Sequence, residues 1–273
     1  MSGFLYKYTD IDSFINHVLK RKTLKFSRTP SFNDPFELSE HFNTSDEFTF
    51  ESKCYLDALQ RYYGILCLTK NPLNLLMWSH YASGESKDSS VQELMKDHNG
   101  QPVTTRFHTG LVFGIDPFEA GLSSHEDNCI PSDFGNVIYS TKKPDQNLSY
   151  NEFVARKNHR EAGFDLSHYP YLRGTFLNKP MCWSYEEEVR VVRKLKFNPK
   201  KADDEDDIGY IKFNDIYDFD INSIKEIYIG LAHYTNPTFK TKFINLVKDF
   251  LPSCSIYQCL KDEKNWELKA EKI

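Results

Sequence analysis

Apolar positions recur along this chain with two distinct periods. At 10–22, Ile11, Phe14, Ile15, Val18 and Leu19 fall at i, i+3, i+4, i+7 and i+8, one apolar stripe that predicts a helix capped by Thr9 or Asp10. The same period returns at 238–250, where Phe239, Phe243, Leu246, Val247 and Phe250 share a face. Short apolar or alternating runs predict strands at 4–8, 24–27, 64–69, 110–116, 136–140, 189–195, 210–213, 224–230 and 255–260. The strand at 24–27 is closed by the turn-rich Phe32-Asn33-Asp34-Pro35-Phe36. Further helices are expected at 44–62 and 150–161, with a short helix or tight bend at 72–82. Residues 83–105 are polar and contain Gly and Ser, so they read as a surface insertion carrying a short helix at 91–96. Strands and helices mix without βαβ regularity. The expected fold is therefore α+β, one compact domain over 1–273 with mixed or antiparallel sheets flanked by helices.

Composition narrows the setting. Charged residues make up 27% and the net charge is −5, which argues against a protein that simply coats nucleic acid. Aromatic residues reach 15%, enough to line semi-polar grooves as well as a core. No apolar run approaches the roughly 18 residues of a membrane span, and the start of the chain lacks the layout of a secretion signal. The six cysteines include no Cys-x-x-Cys pair, as expected of reduced core thiols in a cytoplasmic protein. The acidic run 203–207 reads as a solvated loop.

Familiar catalytic signatures are missing: there is no Gly-x-Gly-x-x-Gly, phosphate loop, His-Glu-x-x-His or Gly-x-Ser-x-Gly. Three segments remain chemically loaded: Leu5-Tyr6-Lys7-Tyr8-Thr9, Met77-Trp78-Ser79-His80-Tyr81-Ala82, and Trp183-Ser184-Tyr185-Glu186-Glu187-Glu188-Val189-Arg190. As a strand, the third would set Glu186, Glu188 and Arg190 on one face and Glu187, Val189 and Val191 on the other. The plain alternative is an edge strand whose carboxylates pair with Arg190 and Arg193. Trp78 and Tyr81 likewise read as packing or groove wall, and His80 as a structural histidine held by a backbone carbonyl. All three segments are expected to converge on one pocket, with the insertion 83–105 mobile at its rim.

Taken in order, Phe26-Ser27, Phe32-Asn33-Asp34-Pro35-Phe36, Leu66-Cys67-Leu68-Thr69, Met77-Trp78-Ser79-His80-Tyr81-Ala82, His108-Thr109-Gly110 and Trp183-x-x-Glu186-x-Glu188-x-Arg190 resemble the prokaryotic domain-of-unknown-function family 2971. The insertion at 83–105 departs from that family. The opening strand, helix and Phe-Ser strand, with a late Glu-x-Glu, are also similar to ADP-ribosyltransferase folds. That second resemblance implies NAD as substrate, Glu188 as the catalytic carboxylate and Glu186 as its auxiliary. Lys7, flanked by Tyr6 and Tyr8, stands where those enzymes carry an Arg or His. Ser79, His80 and Tyr81 stand in for their central Ser-Thr-Ser strand.

On this mapping Tyr81 and Tyr185 stack on nicotinamide, and Lys7, Arg28 or Arg190 meets the pyrophosphate. The acceptor is a macromolecule, protein or nucleic acid. Basic clusters at Lys20-Arg21-Lys22 with Lys25 and Arg28, and at 193–201, are candidates for phosphate contact. The setting implied is a toxin or phage-defence effector with an antitoxin or other regulatory partner. Two rivals remain: a non-catalytic nucleotide- or partner-binding module, and a metal-dependent nuclease built on Glu186, Glu188 and a distant Asp.

Overall fold

The computed structural model describes residues 3–37, 59–60, 62–84, 86, 88–96, 100, 107–143, 163–167, 169–197 and 213–273. The helix expected at 150–161 and the acidic run 203–207 lie outside the described residues. So do most of the helix expected at 44–62, most of the strand expected at 210–213, and residues 198–201 of the second basic cluster.

Thirteen strands are described. In chain order they are β1 (Leu5–Thr9), β2 (Thr23–Lys25), β3 (Tyr63–Thr69), β4 (Leu111–Ile115), β5 (Ile138–Ser140), β6 (Asn178–Pro180) and β7 (Glu188–Lys194). They continue with β8 (Lys196–Phe197), β9 (Phe213–Asn214), β10 (Ile216–Asp218), β11 (Ile224–Ile229), β12 (Ser255–Lys261) and β13 (Leu268–Lys272). Seven of them form one sheet in the order β13-β12-β11-β4-β1-β3-β7. Every neighbouring pair in it is antiparallel except β11–β12. That parallel pair is joined by the Pro237–Phe250 helix, a βαβ unit within a mostly antiparallel main sheet; β5 and β6 form a second parallel pair outside it. The pairs β2–β10, β5–β6 and β8–β9 are small separate sheets.

Each sheet face carries its own core. On one face the Pro237–Phe250 helix buries Phe239, Phe243 and Val247 against Leu5, Phe113, Ile227 and Ile229. The stripe predicted at 10–22 packs there too, because Asp10 caps its first turn by accepting from Ser13 N–H at 2.7 Å. Its second part, Phe14–Leu19, is wound as a π-helix, so Lys20 N–H donates to Ile15 C=O. The opposite face buries Tyr6, Tyr8, Val112 and Tyr228 beneath Trp78. Alternation along β1 thus divides Leu5 from Tyr6 and Tyr8, as a period of two requires.

The described part of the insertion departs from expectation. A helix at Ser89–Leu94, capped by Asp88, buries Val91 in the main core, and Asn236 Nδ2 donates to Lys96 C=O at 3.1 Å. Val91, with Leu94 and Met95 packed beside it, anchors an otherwise polar segment. Among the described residues no helix is long and apolar enough to cross a membrane.

Candidate functional site

The sheet parts between β1 and β3. The two strands share one registered pair, Tyr6 with Thr69, and Lys7 Nζ reaches across the gap to donate to Cys67 C=O at 3.0 Å. A cleft of about 360 Å³ opens there, floored by β1 and β3 and walled by the Leu75–Tyr81 helix and the start of β7.

Local hydrogen bonds tie the three loaded segments together. Asn74 caps the Leu75–Tyr81 helix by accepting from Leu76 and Met77 N–H, and its Nδ2 donates to Tyr185 C=O at 2.6 Å. Its own N–H donates to Tyr8 Oη, whose hydroxyl donates in turn to Asn71 C=O. Trp78, wholly buried, fixes the helix rotation through an Nε1–H bond to Pro72 C=O at 2.9 Å and an edge contact with Tyr8. Tyr81 is thereby aimed at the carboxylates. Its hydroxyl donates to Glu186 Oε1 at 2.6 Å and accepts from Asn33 Nδ2 at 3.1 Å.

Behind the tyrosine lies a buried ion network. Lys179 Nζ donates to Glu186 Oε2 at 2.5 Å and to Glu188 Oε2 at 3.2 Å. Arg190 grips Glu188 through Nε (3.0 Å) and Nη2 (3.1 Å), and grips Glu37 on its other side. Its remaining N–H bonds Phe176 C=O at 2.7 Å. Burial alone would raise the Glu188 pKa, but Arg190 and Lys179 outweigh it and hold the carboxyl at about 2. Burial would also lower the pKa of Lys179, yet Glu188 and Glu186 keep it above the usual lysine value. For Tyr81, burial and the bond to Glu186 act together and raise the phenol well above its ordinary range.

Of the residues singled out in the sequence, Tyr6, Lys7, Tyr8, His80, Tyr81, Glu186 and Glu188 line this cleft. The geometry of the third segment differs from the expected strand. Residues Met181–Glu186 form a 3-10 helix, Glu187 takes a left-handed conformation (φ 46°), and extended structure begins at Glu188. Glu186 and Glu188 still meet, through Lys179 rather than through strand alternation. Arg190 is fully buried behind the cleft with every N–H engaged, so it is not placed to meet a pyrophosphate. Arg193 does not pair with these carboxylates; it donates to Asn128 Oδ1 and stacks on Phe26 and Tyr217.

Arg28 is exposed and stands off the cleft lining, as does Ser79, which bonds Leu75 C=O and His108 Nε2. Tyr185 sits beside the lining, its ring 6.2 Å from that of His80. His80 itself is exposed. Two members of the network, Lys179 and Glu37, were missed. Glu37 follows the Asn33-Asp34-Pro35 turn, where Asp34 accepts from Phe36 N–H and Glu37 N–H bonds Asp34 C=O; that turn was the only signal for it.

The buried network sets two cations against three carboxylates, a formal excess of one negative charge beside tyrosines, with Lys7 a further cation of the same cleft. Such a floor favours positive charge developing above it. Among the described residues no group of three His, Cys, Asp or Glu side chains is arranged to hold a metal. No family model matches the chain, and no curated protein or solved structure matches it at a significant level.

Proposed function

We propose that the cleft binds NAD and transfers ADP-ribose to a macromolecular acceptor, with Glu188 as the catalytic carboxylate and Glu186 as its auxiliary. The observation that carries this reading is the excess negative charge of the Glu37–Arg190–Glu188–Lys179–Glu186 network beneath an aromatic wall. Breaking the nicotinamide–ribose bond builds positive charge on the sugar, as in glycoside cleavage. An ionised Glu188 whose pKa is near 2 opposes that charge at any neutral pH. Tyr81 and His80 offer ring faces to nicotinamide, and Lys7, which lines the cleft at the parted strands, supplies a cation for the pyrophosphate. The sequence resemblance to ADP-ribosyltransferases supports the same reading. The biological setting it implies is a cytoplasmic toxin or phage-defence effector under a regulatory partner.

The test is release of nicotinamide from NAD by the purified protein, with and without chelator. Wild type releases it in both cases. Glu188→Gln lowers the rate by about a hundredfold or more, while binding of NAD changes far less. Glu187→Gln, at an exposed residue whose side chain, among the described residues, accepts from Asn71 Nδ2, keeps the parent rate. Equal, modest effects of the two substitutions, with folding intact, would overturn the assignment.

One observation favours a second reading. Both Glu188 oxygens are already taken, Oε1 by Arg190 and Oε2 by Arg190 and Lys179. A carboxylate so held can serve architecture alone, and the cleft is then a nucleotide-binding module. That reading predicts calorimetric binding of NAD with no release of nicotinamide.

A further inference from the structure

At the far edge of the main sheet, β13 has no described strand on its outer side. The hairpin register fixes which of its peptide groups face outward. Asp262 N–H donates to Glu267 C=O, and Ile273 N–H donates to Ile256 C=O. In an antiparallel ladder, residues that bond the neighbour alternate with residues that do not. With Leu260 opposite Lys269 and Gln258 opposite Glu271, Lys269 and Glu271 direct their peptide groups at β12. Leu268, Ala270 and Lys272 direct theirs outward. An edge of this kind is a template for another strand.

We infer that this edge pairs with the same edge of a second copy of the chain, antiparallel about a two-fold axis at Ala270. Ala270 then exchanges hydrogen bonds with the partner's Ala270, and Leu268 with the partner's Lys272. Between them, Lys269 stands opposite the partner's Glu271, and Glu271 opposite the partner's Lys269. These are the closer, non-hydrogen-bonded positions, where cross-strand charge counts most. The charge pattern selects this register over its neighbours. A slip of two residues one way sets Lys269 against the partner's Lys269, and a slip the other way sets Glu271 against the partner's Glu271. A slip of one residue puts outward-bonding groups opposite inward-bonding ones.

The strand is thus self-complementary in the way an isologous dimer requires. The two-fold also brings Trp266, wholly exposed on the hairpin turn, to the same end of the pair as the partner's Ile273, itself 47% exposed. Because β12, β11 and β4 separate β13 from β1, the cleft is left open in each copy.

Analytical ultracentrifugation of the full chain over a range of concentrations tests this. Wild type forms a concentration-dependent dimer. Lys269→Glu creates two like-charge pairs across the two-fold and weakens the dimer by about tenfold or more, and Glu271→Lys does the same. An equimolar mixture of the two variants restores association, because each opposing pair is then of opposite sign. The double reversal in one chain restores it as well. Ala270→Pro, which deletes an outward N–H that β12 does not use, abolishes the dimer and leaves the melting temperature near that of wild type. A wild type that stays monomeric throughout, or a dimer indifferent to both reversals, overturns the inference.

Discussion

Replacing Glu188 by Gln has a pH signature that the structure specifies. The carboxyl is displaced from its usual 4.5 to about 2 because Arg190 and Lys179 favour its charged form more than burial opposes it. That difference corresponds to about 3 kcal/mol of folding stability. The pKa is lowered on folding, so the contribution is complete above pH 4.5 and disappears as pH falls towards 2. Gln keeps the size of the side chain but resembles only the protonated form. The variant is therefore less stable than wild type by about 3 kcal/mol at pH 7, and the gap closes at acid pH.

This loss lies at the low end of the range for breaking a buried ion pair, because Arg190 retains Glu37 and the Phe176 carbonyl. For a chain of this length the melting temperature drops by roughly 6 °C or more. Paired urea unfolding curves at pH 7, 5 and 3 measure the gap and its closure at acid pH. A gap of the same size at pH 3 and pH 7 would show that Glu188 matters for its shape rather than its charge, and would sink the electrostatic account of the cleft.

Three further expectations follow from other sites. His233 is buried, stacked on Phe239 at 3.8 Å, and bonded through Nε2–H to Thr109 C=O; burial lowers its pKa from 6.5 to about 4. The unfolded chain therefore takes up the proton first, and wild type loses about 3 kcal/mol as pH falls from 6.5 to 4, a slope that His233→Leu removes in the same urea assay. Trp78→Ala empties a fully buried site and cuts the Pro72 bond, costing about 3–5 kcal/mol of stability in denaturant titration. Lys22 is exposed at φ 56° beyond the first helix, so Lys22→Gly relieves left-handed strain and raises the urea midpoint by an amount equivalent to up to about 1 kcal/mol.

Elements with one dry face were legible in the sequence, and elements defined by their partners were not. The stripe from Ile11 to Leu19 announces itself because burial of one face imposes a period on it, and β3, β4 and β11 because burial leaves them short apolar runs. β13 reads Leu-Lys-Ala-Glu-Lys, and only its pairing with β12 makes it a strand. Alternation in the Trp183–Arg190 segment correctly brought Glu186 and Glu188 together for a reason that does not hold, since a left-handed Glu187 interrupts the strand.

What no local pattern carried was the interior of the network. Lys179 lies in a three-residue strand, 7 and 9 positions from Glu186 and Glu188, and Glu37 just after a turn, 153 positions from Arg190. Charge alone in a sequence reads as solvated surface. Only the third dimension shows that Arg190 is dry, and a dry arginine must have acceptors supplied to it. Glu37 and Glu188 meet that demand, and the surplus carboxylate, Glu186, is the one that Tyr81 presents to the cleft. The charge that makes the site a candidate for cation-forming chemistry is thus a consequence of burying one arginine beside one lysine with three acids.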